Sequence, residues 1–133
     1  MGEPGGEGFL QIGHVAERTE LSIKTIRHYA EVGLVTPSAR SAGGFRLYTT
    51  ADVDRLLIIR RMKPLGFSLA EMKQLLDAFQ VLDDPTATGE QHVQAREFLQ
   101  QCRQRTRDSA ERLRRHLAYA AEFGDLLDTR AHT

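Results

Sequence analysis

The sequence predicts a mainly α fold in two parts: a set of short helices carrying one small hairpin, then a single long helix. Three observations predict it. Apolar residues recur at helical spacing over most of the stretch from Ile12 to Phe79. The glycine pair Gly43–Gly44 interrupts that spacing just before Phe45-Arg46-Leu47-Tyr48, an alternating run of the kind that follows a hairpin tip. From Glu90 to about Asp128 there is no proline, and glycine occurs only at Gly124; a helix of roughly 30 or more residues is expected there, against a usual length of ~11–12.

Residues 1–8, MGEPGGEG, are expected to be a disordered lead. They have neither the basic start nor the apolar run of a signal peptide. Ile12, Val15 and Ala16 stand at i, i+3, i+4, which predicts a short amphipathic helix ending at Glu17 or Arg18. Thr19 and Glu20 form the break. Ser22 then has the side chain of an N-cap. Ile26, Tyr29 and Ala30 mark the inner side of a second helix, leaving Lys24, Thr25, Arg27 and His28 on the other surface, and Gly33 stops it as a C′ residue. Two short helices joined by a tight turn form a helix-turn-helix, whose second member enters a major groove. The other reading of the same spacing is an αα-hairpin of any helical protein.

The segment after Gly33 favours the first reading. Leu34, Val35 and Pro37 lead into a glycine-tipped turn, and Phe45 and Leu47 alternate with Arg46 and Tyr48. This is the period-two signal of a strand with one apolar and one polar face. A hairpin placed after a helix-turn-helix is a wing, and its exposed Arg46 would lie along phosphates or a minor groove; the alternative is a surface turn with Arg46 solvated. Thr49 and Asp52 fit a capping box that opens a third helix. Val53, Leu56, Leu57 and Ile59 supply its apolar side, and Arg55, Arg60, Arg61 and Lys63 gather toward its C-terminal half. Cations there complement the helix dipole and could also meet phosphate. Pro64 and Gly66 end it. Ser68–Glu71 is a second capping box, and Leu69, Met72, Leu75, Leu76 and Phe79 follow as the packing stripe of a fourth helix. Asp83–Gly89 reads as linker.

In the long helix, Leu99, Cys102, Thr106, Ser109, Leu113, His116, Ala120, Phe123 and Leu127 follow a heptad spacing. Ala110 and Leu117 fit a neighbouring register. The reading is a dimerisation coiled coil, with a back-folded surface helix as the alternative. The expected organisation is a DNA-binding domain over 9–79, a linker over 80–89, a dimerisation helix over 90–128 and a tail over 129–133.

Charge supports this division. The 133 residues carry 18 basic and 18 acidic side chains, a formal net charge of zero. Yet Phe9–Ala78 holds ten Lys and Arg against seven acids, and Arg96–Arg115 holds seven Arg against three acids. A neutral average thus hides basic faces. One cysteine, Cys102, excludes an internal disulfide and a multi-cysteine metal site within one chain. It reads as a small core residue, with a redox-responsive thiol and a metal ligand as the other two readings. No run approaches 18 apolar residues, so no membrane span is expected and the location is read as cytoplasmic. No nucleophile–base pair, phosphate loop or metal cluster is visible, so no catalytic residue, cofactor or metal is assigned and an enzyme is not expected.

Together these residues resemble the MerR family of bacterial transcription regulators. The markers are Ile12-Gly13, Val15-Ala16, Thr25-Ile26-Arg27, Tyr29, Gly33-Leu34-Val35, Pro37, Arg40-Ser41, Gly44-Phe45-Arg46-Leu47-Tyr48, Asp52-Val53 and Leu65-Gly66-Phe67-Ser68. The resemblance implies a winged helix-turn-helix DNA-binding domain and an antiparallel coiled-coil homodimer. It further implies a palindromic promoter in double-stranded DNA as partner, with RNA polymerase holoenzyme acting on a spacer that the protein bends and untwists. Such reading by deformation needs few base contacts. The DNA-binding set then comprises Ser22, Lys24, Thr25, Arg27, His28, Tyr29, Arg40, Arg46, Tyr48, Arg60 and Lys63. By the resemblance, Tyr29 and Tyr48 would donate hydroxyls to phosphates and Arg40 and Arg46 would serve the wing, while Arg60 and Lys63 are weaker candidates.

Departures stand at His28 and Phe45, where the family often has tyrosine or phenylalanine and tyrosine respectively, and at Ala30, where it often has glutamate. The sensing end departs further: Thr88-Gly89-Glu90-Gln91-His92 lacks the cysteine that metal-sensing relatives place there, and nothing after Asp128 resembles a metal loop. A competing expectation is an architectural or excisionase-like DNA-bending protein that never recruits polymerase; the long helix speaks against it.

Overall fold

The computed structural model describes residues 8–132. Of the expected lead, residues 1–7 lie outside the described residues, as does Thr133. The chain divides into two units between Asp77 and Ala78, and each is taken by itself.

The first unit contains strand β1 (Leu10–Gln11), helices α1 (Ile12–Thr19) and α2 (Ile23–Glu31), strands β2 (Ala39–Arg40) and β3 (Arg46–Tyr48), helix α3 (Thr50–Met62), a 3₁₀ turn (Lys63–Leu65) and the start of helix α4 (Leu69–Asp83). The three strands form an antiparallel sheet in the order β1-β3-β2. Leu10 pairs with Tyr48 and Gln11 with Leu47 on one side of β3, and Ala39 with Leu47 and Arg40 with Arg46 on the other. Strand β1 was not expected: two residues are too few to carry a period.

Local chemistry closes each helix. Ser22 caps α2, its Oγ accepting from the Thr25 N–H at 3.0 Å. Val32 ends α2, and Gly33 beyond it takes φ +76°, the left-handed conformation that a C′ glycine adopts without steric cost. The Thr49/Asp52 capping box of α3 and the Ser68/Glu71 box of α4 are both formed reciprocally. Helix α1 ends differently. The buried Thr19 hydroxyl donates back to the Val15 carbonyl at 2.8 Å, and Glu20 turns to φ 60°. The α3 side chain Arg60 reaches across 41 positions of sequence to donate to the Thr19 carbonyl at 2.6 Å. Pro64 sits in the 3₁₀ turn directly after α3, so the helix ends at Met62.

The core is aliphatic. Val15, Ile26, Leu56 and Ile59 are wholly buried, with Val53, Val35, Met62, Met72 and Leu75 nearly so. The expected α4 stripe is narrower than its spacing: Met72, Leu75 and Ala78 are buried, but Leu69 and Phe79 are exposed. The alternation read for residues 45–48 also needs correction. Phe45 is 66% exposed at the hairpin tip, whereas Tyr48 is fully buried beside Leu47. The physical reason is that β3 is the centre strand and leads straight into the capped start of α3, so its last residues face the core on both sides.

The second unit contains the end of α4, a turn, and helix α5 (Gly89–Ala131). The expected linker shrinks to residues 84–88, because α4 runs to Asp83. Within that turn Asp84 Oδ1 accepts from the Thr86 N–H at 2.9 Å and from its hydroxyl at 2.7 Å. These bonds hold the Asp84 carboxyl below its ordinary pKa. Thr88 and Gln91 form a capping box that opens α5. With 43 residues α5 is about 64 Å long at 1.5 Å per residue, and it absorbs residues 129–131, which were expected as tail. Its N-terminal half has a covered side with Ala95 and Ser109 buried and Phe98, Leu99 and Cys102 half-buried. From Glu111 to Ala131 every residue except Gly124 is exposed, including Leu113, Leu117, Tyr119, Phe123, Leu126 and Leu127.

Candidate nucleic-acid interface

The site is built from α2 and the hairpin. The Ser22 cap starts α2 so that Ile26 and Tyr29 turn inward, and Lys24, Arg27 and His28 are exposed on the outer side. Thr25 is half-buried, and its hydroxyl accepts from the Ser22 hydroxyl at 2.8 Å. Tyr29 is 3% exposed; its carbonyl accepts from the N–H groups of Leu34 and Val35, which turns the chain out of α2.

The hairpin is held at both ends. At its tip the Gly44 N–H donates to the Ser41 carbonyl at 2.9 Å, the Phe45 N–H to the Ser41 hydroxyl at 3.1 Å, and Arg40 Nη1 to the Gly44 carbonyl at 3.0 Å. Gly44 lies at φ +85°, so the second glycine of the pair is the one the turn requires. At its base the Ser38 hydroxyl donates to Asp52 Oδ2 at 2.7 Å, the same oxygen that accepts from the Thr49 N–H. Arg55 occupies the other carboxylate oxygen at 2.9 Å. Asp52, 2% exposed, is therefore fully bonded and ties the hairpin to the start of α3.

This arrangement brings Arg27 of α2 and Arg40 and Arg46 of the hairpin to one cavity of ≈ 310 Å³, lined also by Gln11, Ile12, Gly13, Gly44 and Phe45. A second cavity of ≈ 380 Å³, lined by Ala30, Glu31 and residues 36–39, shares Arg40 and Arg46. Two buried polar atoms beside these cations lack a hydrogen-bond partner: Arg46 Nη1 and the Tyr48 hydroxyl. Burial raises the Tyr48 pKa above its ordinary 10.0, with Arg46, Arg27 and Arg40 opposing and Asp52 adding to the rise.

Among the residues expected to meet DNA, the structure thus brings together Arg27, Arg40 and Arg46, with Lys24 and His28 exposed on the same helix. Tyr48 is fully buried and lines neither cavity, although the charges of these arginines act on its hydroxyl. Arg60 and Lys63 do not line either cavity; Arg60 is spent on Thr19 and on Glu20, 3.4 Å away. Gln11, Ile12 and Gly13 were missed as site residues, because only pairing of β1 to β3 carries the start of α1 up to the hairpin. Among the described residues there is no group of three or more His, Cys, Asp or Glu side chains placed to hold a metal ion, and no helix long and apolar enough to cross a membrane.

A helix-turn-helix followed by a hairpin wing, to which the strand before the first helix pairs as a third strand, with cations of helix and wing lining one cavity, defines the winged helix-turn-helix class. Comparison with known proteins places the chain within that class. The sequence model "MerR HTH family regulatory protein" matches residues 10–78, and "MerR, DNA binding" matches residues 53–120. The chain belongs to the MerR family. It is 43% identical over 80 residues to the HTH-type transcriptional regulator CueR of Vibrio cholerae, covering 60% of this chain and 55% of that regulator, so it spans about half the length of that relative. It is 35% identical over 122 residues to the HTH-type transcriptional regulator HmrR of Rhizobium leguminosarum, covering 90% of this chain and 92% of HmrR. A solved MerR family transcriptional regulator from Listeria monocytogenes has the same fold at TM-score 0.68 and 24% identity, over 90% of this chain and 86% of that one.

Proposed function

We propose that the protein is a homodimeric, sequence-specific DNA-binding transcription regulator that acts on a promoter palindrome. It bends and untwists the spacer so that RNA polymerase holoenzyme can engage it. The observation that carries this reading is the meeting of Arg27 on α2 with Arg40 and Arg46 on the wing at one cavity. A helix that reads the groove and a hairpin that grips the adjoining backbone require that juxtaposition. Lys24, Thr25, Arg27 and His28 face the groove in this reading, and Ser22 lies at the end of α2 that approaches the phosphates. Lys63 adds a flanking backbone contact, to which Arg60 contributes through the guanidinium donors not given to Thr19. Tyr29 and Tyr48 belong to the core, and with its hydroxyl buried Tyr48 does not donate to phosphate in this conformation.

Two copies are supported by α5. Its last 20 or so residues expose six large apolar side chains, more contiguous apolar surface than a single helix keeps in water; of these, Leu113, Phe123 and Leu127 stand on the heptad read from the sequence. Family membership and this helix favour a regulator over an architectural DNA-bending protein. The reading involves no catalysis, and its setting is the cytoplasm, where the promoter lies.

The test is affinity for the operator together with a footprint on the promoter. Arg27→Ala and Arg46→Ala are each expected to weaken binding at least about tenfold, the scale of one good charged contact, while thermal melting stays unchanged. Affinity should fall steeply with salt as counterions are released. Retained affinity in both variants, or a flat salt dependence, would refute the assignment. Protection outside promoters without a change in open-complex formation would favour the architectural reading instead.

A further inference from the structure

Arg40 and Arg46 line both cavities, yet the two cavities differ in charge. The first adds Arg27 to the pair and is lined by no acid. The second adds no further cation and is lined by one acid, Glu31. Glu31 is the last residue of α2 and is exposed. Among the described residues no ion pair joins it to Arg40 or Arg46, so its charge is not neutralised by direct contact.

The polarity of α2 acts in the same direction. Ala30 and Glu31, which line the second cavity, are the end of that helix, where the dipole presents partial negative charge. Arg27, which lines the first cavity, lies at its middle, and Lys24 in its first turn. A phosphate that approaches the wing arginines from the first cavity meets a third guanidinium. From the second it meets a carboxylate and the negative end of a helix. Arg40 and Arg46 by themselves do not distinguish the two approaches, because they line both.

We propose that Glu31 is a specificity-determining residue that makes the wing one-sided. Its carboxylate bars a DNA phosphate from the second cavity and confines the duplex backbone to the cavity that Arg27 lines. On a mixed-sequence duplex no base contacts fix the protein, and the backbone could otherwise settle against the shared arginines from either cavity. Glu31 withdraws one of those two placements by like-charge repulsion. That lowers affinity for random sequence more than affinity for a site whose bases hold α2 in register. The inference rests on the DNA-binding reading, which Arg27→Ala and Arg46→Ala test separately.

The experiment measures affinity of the full chain for two duplexes over a range of salt. One duplex is of mixed sequence; the other is a palindrome that the protein selects from a random-sequence library. Glu31→Gln removes the charge at nearly constant shape, Glu31→Lys reverses it and Glu31→Asp keeps it. Glu17→Gln removes an equal charge from an exposed residue of α1 that lines neither cavity.

Glu31→Gln is expected to tighten mixed-sequence binding at least about threefold more than Glu17→Gln does. Glu31→Lys should tighten it at least about tenfold and steepen the salt slope by about 1, the effect of one added phosphate contact. Affinity for the palindrome should rise less, so discrimination between the duplexes falls about threefold or more, while Glu31→Asp keeps it at the wild-type level. Thermal melting should be unchanged or slightly raised in Glu31→Gln, since loss of an acid suits a helix C-terminus; a merely structural residue would move melting and leave the salt slope alone. Equal gains in Glu31→Gln and Glu17→Gln would show only a change in net charge and overturn the assignment, as would equal gains on both duplexes. If the Glu31 variants bind both duplexes as wild type does while Arg27→Ala and Arg46→Ala fail, Glu31 has no such role and the DNA-binding reading stands. If wild type binds neither duplex, both fail.

Discussion

Tyr48 shows most directly how burial of one side chain sets its ring against its hydroxyl. Its ring is fully buried on the centre strand, and its hydroxyl is unpaired. A buried hydroxyl without a partner costs roughly 1–3 kcal/mol, so Tyr48→Phe should leave the DNA-free protein as stable or more stable by about 1 kcal/mol. The pH dependence follows from the raised pKa. The folded state keeps the phenol protonated above its ordinary 10.0, where the unfolded state releases the proton. Deprotonation therefore favours unfolding: the stability is complete below that value and is lost as pH rises through the folded pKa. Chemical denaturation across alkaline pH should show this fall in wild type and a smaller one in Tyr48→Phe. Identical profiles would mean that the hydroxyl is solvated or paired.

Among the elements, the wing depends on a residue outside it. Asp52 was legible in the sequence as the N3 member of a capping box, and the box is formed. What sequence did not reveal is that the same carboxylate anchors the Ser38 hydroxyl at the base of the hairpin. Asp52→Ala removes a cap and leaves that hydroxyl without its acceptor. The expected loss is roughly 2–3 kcal/mol in thermal or urea unfolding. DNA affinity should fall as well, because the wing is no longer held against α3. Asp52→Asn, which keeps the shape and one acceptor oxygen, should recover part of both. A stable Asp52→Ala with full affinity would show that the hairpin is positioned by its strand pairing alone. The α1–α3 contact is of the same kind: Arg60 closes the end of α1 from 41 residues away, a distance no local pattern reports.

For the whole molecule, the long helix decides the functional unit. Of the heptad read from sequence, Ser109 is buried and Leu99 and Cys102 are half-buried within one chain, whereas Thr106 and every position from Leu113 onward are exposed. The surface ion pairs of this helix, such as Arg114 and Arg115 with Glu111 at 3.7 and 3.8 Å, are exposed and contribute little. In the proposed dimer, apolar burial rather than these ion pairs would drive association. Leu113→Glu together with Leu117→Glu should convert a dimer into a monomer in analytical ultracentrifugation, leaving helix content intact and palindrome affinity reduced to that of a half-site. A double variant that remains dimeric would move the interface off this stretch.

The sequence by itself determined the order and kind of almost every element, because helix periods, capping residues and turn glycines act over a few neighbouring positions. Ser22, Gly33, Gly44, Thr49–Asp52 and Ser68–Glu71 each do locally what their chemistry predicts. It also determined the family and the cationic residues of α2 and the wing. Only the tertiary structure decided which of those residues converge. It buried the Tyr48 hydroxyl, bonded Arg60 to the end of α1, and carried Gln11, Ile12 and Gly13 to the cavity that the arginines line. The reason is physical: strand pairing between β1 and β3 and side-chain bonds between α1 and α3 join positions some 40 residues apart. Such contacts are fixed by packing of the core as a whole, which no local window of sequence contains.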